Sequence, residues 1–253
     1  MITYNGFVDY CKDERGLDDT EIALMLFLIE KDYGSFQQAL AAMDISTTNG
    51  REEDEEGMDE ILNYYEPDYY DSNFYKVGGS YWYIFDDEDE AKETAIELAK
   101  SVLPDMSFEA VESYVDSDWF QSEQEESFEN YVRDMSDDEV VQECLDKDLI
   151  DDSAFEEDED GNPDYDNCNI PQYQLQDMLI ESYVDDAGDP VEWYKDNFGY
   201  DGFQEAVSYH NLIDWDAAAE GIVEQDGVEA WIGHDDYEHR YNFDGIEYLI
   251  YKD

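Results

Sequence analysis

Basic residues are scarce: 12 Lys plus Arg stand against 72 Asp plus Glu in 253 residues, a formal charge of −60. A surface of that sign repels phosphate backbones and anionic headgroups, which argues against direct nucleic-acid binding and against membrane contact. Long apolar runs are missing too. The longest extends only from Ile22 to Ile29, which suits a buried helix and falls well short of the ~20 residues of a membrane span. The opening Met1-Ile2-Thr3-Tyr4-Asn5-Gly6 has neither a basic n-region nor an apolar h-region, so a cytoplasmic location is expected. Cys11, Cys144 and Cys168 are odd in number and form no Cys-x-x-Cys pair, which points to free buried thiols rather than a disulfide framework or a zinc site. Walker, dinucleotide-glycine and Gly-x-Ser-x-Gly patterns are absent. No enzyme activity and no cofactor are therefore expected.

What the chain does have is negative charge combined with large apolar side chains. Acid excess alone would suggest disorder, yet 42% of residues are hydrophobic and 15% aromatic, with 22 Tyr, 12 Phe and 5 Trp. That is enough to build a core against self-repulsion. Surface scaling for a monomer of this size gives about 11,600 Å², or about one net charge per 190 Å². Duplex DNA, taken as a cylinder of roughly 10 Å radius, carries about one per 105 Å². The two densities lie within a factor of about two, and clustering on one face could close the gap.

The pattern along the chain predicts an elongated, helix-rich α+β protein with small antiparallel sheets or hairpins. Residues 1–45 read as an N-terminal helical module, with a start signal at Asp18-Asp19-Thr20-Glu21 and a second helix after Gly34 and Ser35. Residues 46–72, dense in charge and without periodicity at Arg51 to Glu56, read as an acidic linker. Residues 73–150 read as a middle domain. A hairpin around Gly78-Gly79 opens it, a helix follows from Asp86 with Ala91, Ala95 and Ala99 on one face, and a capping box sits at Ser136 to Glu139. Residues 151–171 read as a second acidic loop. Residues 172–253 read as a C-terminal α+β domain, with a helix from Pro190 ending at Gly199, another from Trp215, and strands at Val228 to Ile232, Tyr241 to Phe243 and Ile246 to Tyr251 around an Asp244-Gly245 turn.

Carboxylate pairs are so abundant that matches to an acid–base spacing carry no information. His234 and His239 lack a metal-ligand pattern and read as a surface pair. Glu156, Asp158, Asp160, Gly161, Asn162 and Asp164 approach a calcium loop, but Asn167 stands where a bidentate Glu is needed, so no metal site is assigned. The acidic helix faces remain. Asp86, Asp87, Glu88, Asp89, Glu90, Glu93 and Glu97 load the first of them, and Asp116, Asp118, Glu123, Glu125, Glu126, Glu129, Asp134, Asp137, Asp138 and Glu139 continue the supply. Only Lys92, Lys100 and Arg133 interrupt them between Asp86 and Glu139, whereas ordinary solvated faces mix the signs. These residues are the candidate phosphate-mimicking, partner-binding set.

The stretch Ser208-Tyr209-His210-Asn211-Leu212-Ile213-Asp214-Trp215-Asp216-Ala217-Ala218-Ala219-Glu220 with a terminal strand pair resembles the end of ArdA-type antirestriction proteins. The segment Asp226 to Gly233, with Tyr248-Leu249-Ile250-Tyr251-Lys252, is similar to acidic proteins of tailed bacteriophages. The resemblance covers residues 173–253 and implies an elongated, often dimeric DNA mimic that occupies the DNA-binding groove of restriction-modification enzymes. The expected function is thus a phage or mobile-element inhibitor of a host nucleic-acid-binding defence enzyme with a basic groove. The alternatives are an acidic decoy of another basic host protein (a CRISPR effector, a transcription or translation factor), an acidic calcium-binding protein, or a halophile's solvating surface.

Overall fold

The structure, a computed structural model, describes residues 2–45, 51–157, 163–233 and 238–253. In chain order its elements are α1 (Tyr4–Tyr10), α2 (Asp19–Tyr33), α3 (Phe36–Ala42), α4 (Arg51–Tyr65), β1 (Asp68–Asp71), β2 (Phe74–Val77), β3 (Ser80–Phe85) and α5 (Glu88–Val102). There follow α6 (Phe108–Val111), α7 (Asp118–Arg133), α8 (Asp137–Asp146), β4 (Phe155–Glu157), β5 (Pro163–Cys168), α9 (Gln172–Ala187) and α10 (Pro190–His210). The chain closes with α11 (Trp215–Asp226), α12 (Glu229–Ile232), β6 (His239–Phe243) and β7 (Ile246–Lys252). The class is helix-rich α+β, with a five-stranded and a two-stranded antiparallel sheet among the described residues. No helix among those residues is long and apolar enough to cross a membrane.

Two compact units emerge: Met1–Met106 with Trp215–Asp253, called here the flanking unit, and Ser107–Asp214, the inserted unit. The flanking unit is organised by a sheet of order β1-β2-β3-β7-β6. Its hairpin turns are local chemistry. Gly78 and Gly79 (φ 57° and 94°) and Asp244 and Gly245 (φ 49° and 87°) take positive φ at both central positions, the geometry whose twist matches antiparallel strands. The central pairing is not local: β3 meets β7 from the far end of the chain, in the register Trp82 to Lys252 and Ile84 to Ile250.

Alternation along these strands sends Tyr75, Val77, Trp82, Ile84, Tyr248 and Ile250 to one face, where they share a core with Phe7, Cys11, the apolar run of α2, and Met58, Ile61 and Leu62 of α4. Phe85, Leu249 and Tyr251 point the other way and are equally buried. On that side α5 packs on β3, α11 and α12, and α12 packs on β7. The alanine stripe Ala91, Ala95 and Ala99 is the buried side of α5, and α11 buries Ala218 and Ala219. Small residues let the two helices approach closely.

Several expected boundaries move. Residues 1–45 are not a separate module, because their core is the sheet's core. The expected linker over 46–72 contains α4 and β1, since Met58, Ile61, Leu62 and Tyr65 recur at helical spacing and reach that core; 46–50 lie outside the described residues. The expected domains 73–150 and 172–253 are each divided between the units, at Met106 and at Asp214. Val228 to Ile232 is a short helix rather than a strand: after Gly227 (φ 92°), the Ile232 amide donates to the Val228 carbonyl and Ile232 is buried.

The inserted unit holds two apolar clusters. Phe120, Phe203, Ala206 and Val207 anchor one, with Trp119, Tyr194 and Ile213 against it, and Val132, Val140, Cys144, Phe155, Leu175 and Leu179 anchor the other. α8 begins with the expected capping box: Ser136 Oγ accepts from the Glu139 amide, and the Glu139 carboxylate accepts from the Ser136 amide and hydroxyl. The expected acidic loop 151–171 contains the ribbon β4–β5, with Phe155 buried at its root, while 158–162 lie outside the described residues. α10 starts at the expected Asp189 cap, and Gly199 (φ 76°, ψ 165°) leaves helical geometry at the expected end, so that Pro190–His210 is two helical segments joined across a kink at that glycine. Cys11 and Cys144 are buried free thiols, and Cys168 is half-buried and free. Burial pushes the Cys11 thiol up to about 12.

Candidate functional site

The candidate carboxylates fall into two sets on two different units. Asp86, Asp87, Glu88, Asp89, Glu90, Glu93 and Glu97 belong to the flanking unit, at and along α5. All of them are exposed. Asp116, Asp118, Glu123, Glu125, Glu126, Glu129, Asp134, Asp137, Asp138 and Glu139 belong to the inserted unit, on α7, on α8 and at their ends. These too are exposed, apart from a half-buried Glu123.

Local bonding separates carboxylates with a structural task from those facing solvent alone. Asp87 caps α5 by accepting from the Asp89 amide at 2.7 Å, and Asp116 accepts from the Asp118 amide at 2.9 Å. Glu88 bonds Arg240 at 3.0 Å, Glu129 pairs with Arg133 at 3.7 Å, and Glu125 accepts from Gln121 at 2.9 Å. The Ser136 amide and hydroxyl hold the Glu139 carboxyl below its ordinary value. Among the described residues, Glu90, Glu93, Glu126 and Asp134 make no side-chain hydrogen bond or ion pair. On α5 the cations are directed elsewhere: Lys92 bonds Glu224 at 3.1 Å and Lys100 bonds Asp216 at 2.7 Å, so both reach to α11. Lys100 also touches Glu97, at 2.9 Å. The side of α5 bearing Glu90 and Glu93 is left uncompensated.

That side forms one wall of a cleft of about 600 Å³, whose other wall comes from the β1–β2 turn and the sheet. Phe74, Tyr81 and Tyr83 stand on the sheet face that α5 only partly covers, and they form a ladder. Phe74 stacks on Tyr83 (centroids 4.2 Å, 27°) and on Tyr81 (5.4 Å, 19°), and Tyr70 meets Phe74 and Tyr81 edge-on at 5.6 and 5.5 Å. Burial, then the carboxylates of Asp253 and Asp71, raise the Tyr83 hydroxyl above 10.0, so it stays neutral. The sequence reading passed over these rings as hairpin residues. Their signal was the alternation of Tyr81, Tyr83 and Phe85 next to Phe74, which puts four rings on one face.

No family model, curated protein or solved structure matches the chain. The segment Ser208–Glu220, which carries the likeness to antirestriction proteins, runs from the end of α10 into α11 and crosses the boundary between the units. In it, Asn211 takes positive φ (54°) and Asp214 donates its amide to the Tyr114 carbonyl at 3.0 Å. The near-calcium loop from Glu156 to Asn167 includes residues outside those described, as does His234. Among the described residues no cluster of His, Cys, Asp and Glu could hold a metal ion.

Proposed function

We propose that this protein is a phage or mobile-element inhibitor that fills the nucleic-acid-binding groove of a host defence enzyme, a restriction-modification enzyme foremost, with carboxylates standing where phosphates would lie. It acts in the host cytoplasm by competition, and no turnover or cofactor is required. The observation that carries this reading is the uncompensated side of α5. Glu90 and Glu93 stand three residues apart, about 4.5 Å along the axis, on the order of the spacing between successive phosphates on one strand, while Glu97, a further turn on, is already paired with Lys100.

Mean density does not carry it. An accessible surface of 15,023 Å² for a formal charge of −60 leaves about 250 Å² per net charge, sparser than the sequence-based figure and than DNA. Mimicry therefore has to be local, on helix faces where charge is concentrated and cations are turned away.

The test is capture from a bacterial lysate on the immobilised chain, followed by duplex DNA as competitor. Release of the captured protein by DNA, with affinity falling as salt rises, is the expected result. A captured protein that DNA leaves in place, or an affinity indifferent to salt, would sink phosphate mimicry and favour a decoy of some other basic protein.

A further inference from the structure

A second cleft, of about 350 Å³, opens between α2, α4 and the β2–β3 hairpin. Lys31 and Lys252 both line it, in a chain that has only 12 basic residues. We propose that this cleft binds a small molecule that carries an oxyanion, phosphate or carboxylate, on a single apolar ring. The site is separate from the acidic helix faces and goes beyond the competition proposed for them.

With 72 acidic residues in the chain, carboxylates are at hand for every lysine, and Lys12, Lys92, Lys100, Lys147 and Lys195 each hold one. Lys31 does not. Its ammonium makes no hydrogen bond or ion pair among the described residues and rests instead on the Trp82 and Phe27 rings, 4.9 and 5.6 Å from their centroids. Lys252 stands beside Trp82 across the β3–β7 ladder and brings a second ammonium to 5.9 Å from the same centroid. Trp82 is only 5% exposed, so its ring is the seat of the cations and not a surface for the ligand. Two like charges near one ring repel each other, and an oxyanion within reach of both relieves that repulsion through charge-assisted hydrogen bonds. Among the described residues lining the cleft only Asp32 carries a carboxylate, and it is engaged, accepting from the Tyr65 hydroxyl at 2.6 Å. The lining is therefore net positive on a molecule that is elsewhere strongly negative. The rest of it suits a ring. Leu28 and Val77 are buried apolar walls, and Tyr64, 63% exposed, makes no ring contact or hydrogen bond of its own, which leaves it to pack against a planar group. A volume of about 350 Å³ lies at the small end of ligand sites, room for one ring and its charged group.

The test titrates the full chain by calorimetry with phenyl phosphate and with benzoate, which separate the two oxyanions, and with inorganic phosphate and phenol, which carry the charge or the ring alone. Salt is held at about 0.15 M, where the field of distant carboxylates is screened over about 8 Å and the ammoniums nearest the ligand set the local sign. Lys31→Gln removes the unpaired cation and Tyr64→Ser the exposed ring. Both positions are exposed, and circular dichroism reports folding for each variant. Lys76→Gln is the control: Lys76 also lacks a carboxylate partner, but it lies outside the cleft, 5.7 Å from the Tyr81 centroid.

At least one of the two ring-bearing oxyanions should bind, and roughly tenfold more tightly than inorganic phosphate or phenol. Its affinity should fall roughly tenfold in Lys31→Gln and roughly threefold in Tyr64→Ser. In Lys76→Gln the change should stay below about twofold. Failure of both phenyl phosphate and benzoate to bind would overturn the inference. So would a Lys31→Gln variant that binds as the parent does, or inorganic phosphate binding as tightly as the ring-bearing ligands. Competition by duplex DNA for a captured protein has no bearing on these outcomes, so this site and phosphate mimicry stand or fall separately.

Discussion

At the residue scale, the carboxylates of this chain divide by whether a proton would be missed. Glu112 is the clearest that would be. It accepts from Lys195 Nζ at 2.8 Å and from the Tyr200 hydroxyl at 2.7 Å, and those bonds, the lysine's first, hold its carboxyl below the ordinary 4.5. A lowered folded value means that the unfolded chain takes up the proton first as the pH falls. The stabilisation is therefore complete above about 4.5 and is lost as the pH drops through the folded value. With Glu112 and Lys195 side chains 27% and 19% exposed, Glu112→Gln should cost about 1 kcal/mol at neutral pH after solvent screening. Urea midpoints of parent and variant should differ near neutrality and converge in acid. A gap that persists in acid would mean that Glu112 acts through packing rather than charge.

At the element scale, α5 does two things with two sides. Its alanine stripe lies against β3, α11 and α12, and its lysines are tied to α11, which frees the glutamate side for the cleft. Ala95 is 0% exposed, and Ala95→Leu would force a larger side chain into that contact. The expected loss is about 1–3 kcal/mol, read as a lower midpoint in chemical denaturation. An unchanged midpoint would show spare room behind the helix. The stripe was legible in the sequence, because helical period needs only the helix's own residues. Helix α4 was not read, although Met58, Ile61, Leu62 and Tyr65 carry the same period, because the acidic run at Arg51 to Glu56 set the character of the whole segment. Charge density masks periodicity when it fills the outward side of a helix so completely.

At the scale of the whole molecule, one unit interrupts the other in sequence. The flanking unit cannot complete its sheet without residues that follow Asp214, since β7 lies between β3 and β6. The inserted unit is closed at its own ends: the Asp116 amide donates to the Leu212 carbonyl at 2.7 Å, the Asp214 amide to the Tyr114 carbonyl at 3.0 Å, and Val115 bridges Ile213. A fragment of residues 107–214 should therefore unfold cooperatively on its own. A fragment of residues 1–106 should not, because its Trp82 and Ile84 core face lacks Tyr248 and Ile250. Thermal melts of the two fragments check this, and a cooperative transition in the 1–106 fragment would contradict it. Self-repulsion from the charge of −60 weakens both units, which makes such closure matter more.

By itself the sequence determined what is local. The turns at Gly78-Gly79 and Asp244-Gly245, the caps at Asp18 and Ser136, and the alanine stripe each depend on residues a few positions apart. The α+β class follows from those same signals. Only the tertiary structure decided that residues 80–85 pair with 246–252, that the chain divides at Met106 and Asp214, and that Phe74 and Tyr83 line one cleft with Glu90 and Glu93. Pairing between distant strands leaves no mark in either strand's own pattern, since alternation states which face is buried but not what lies against it.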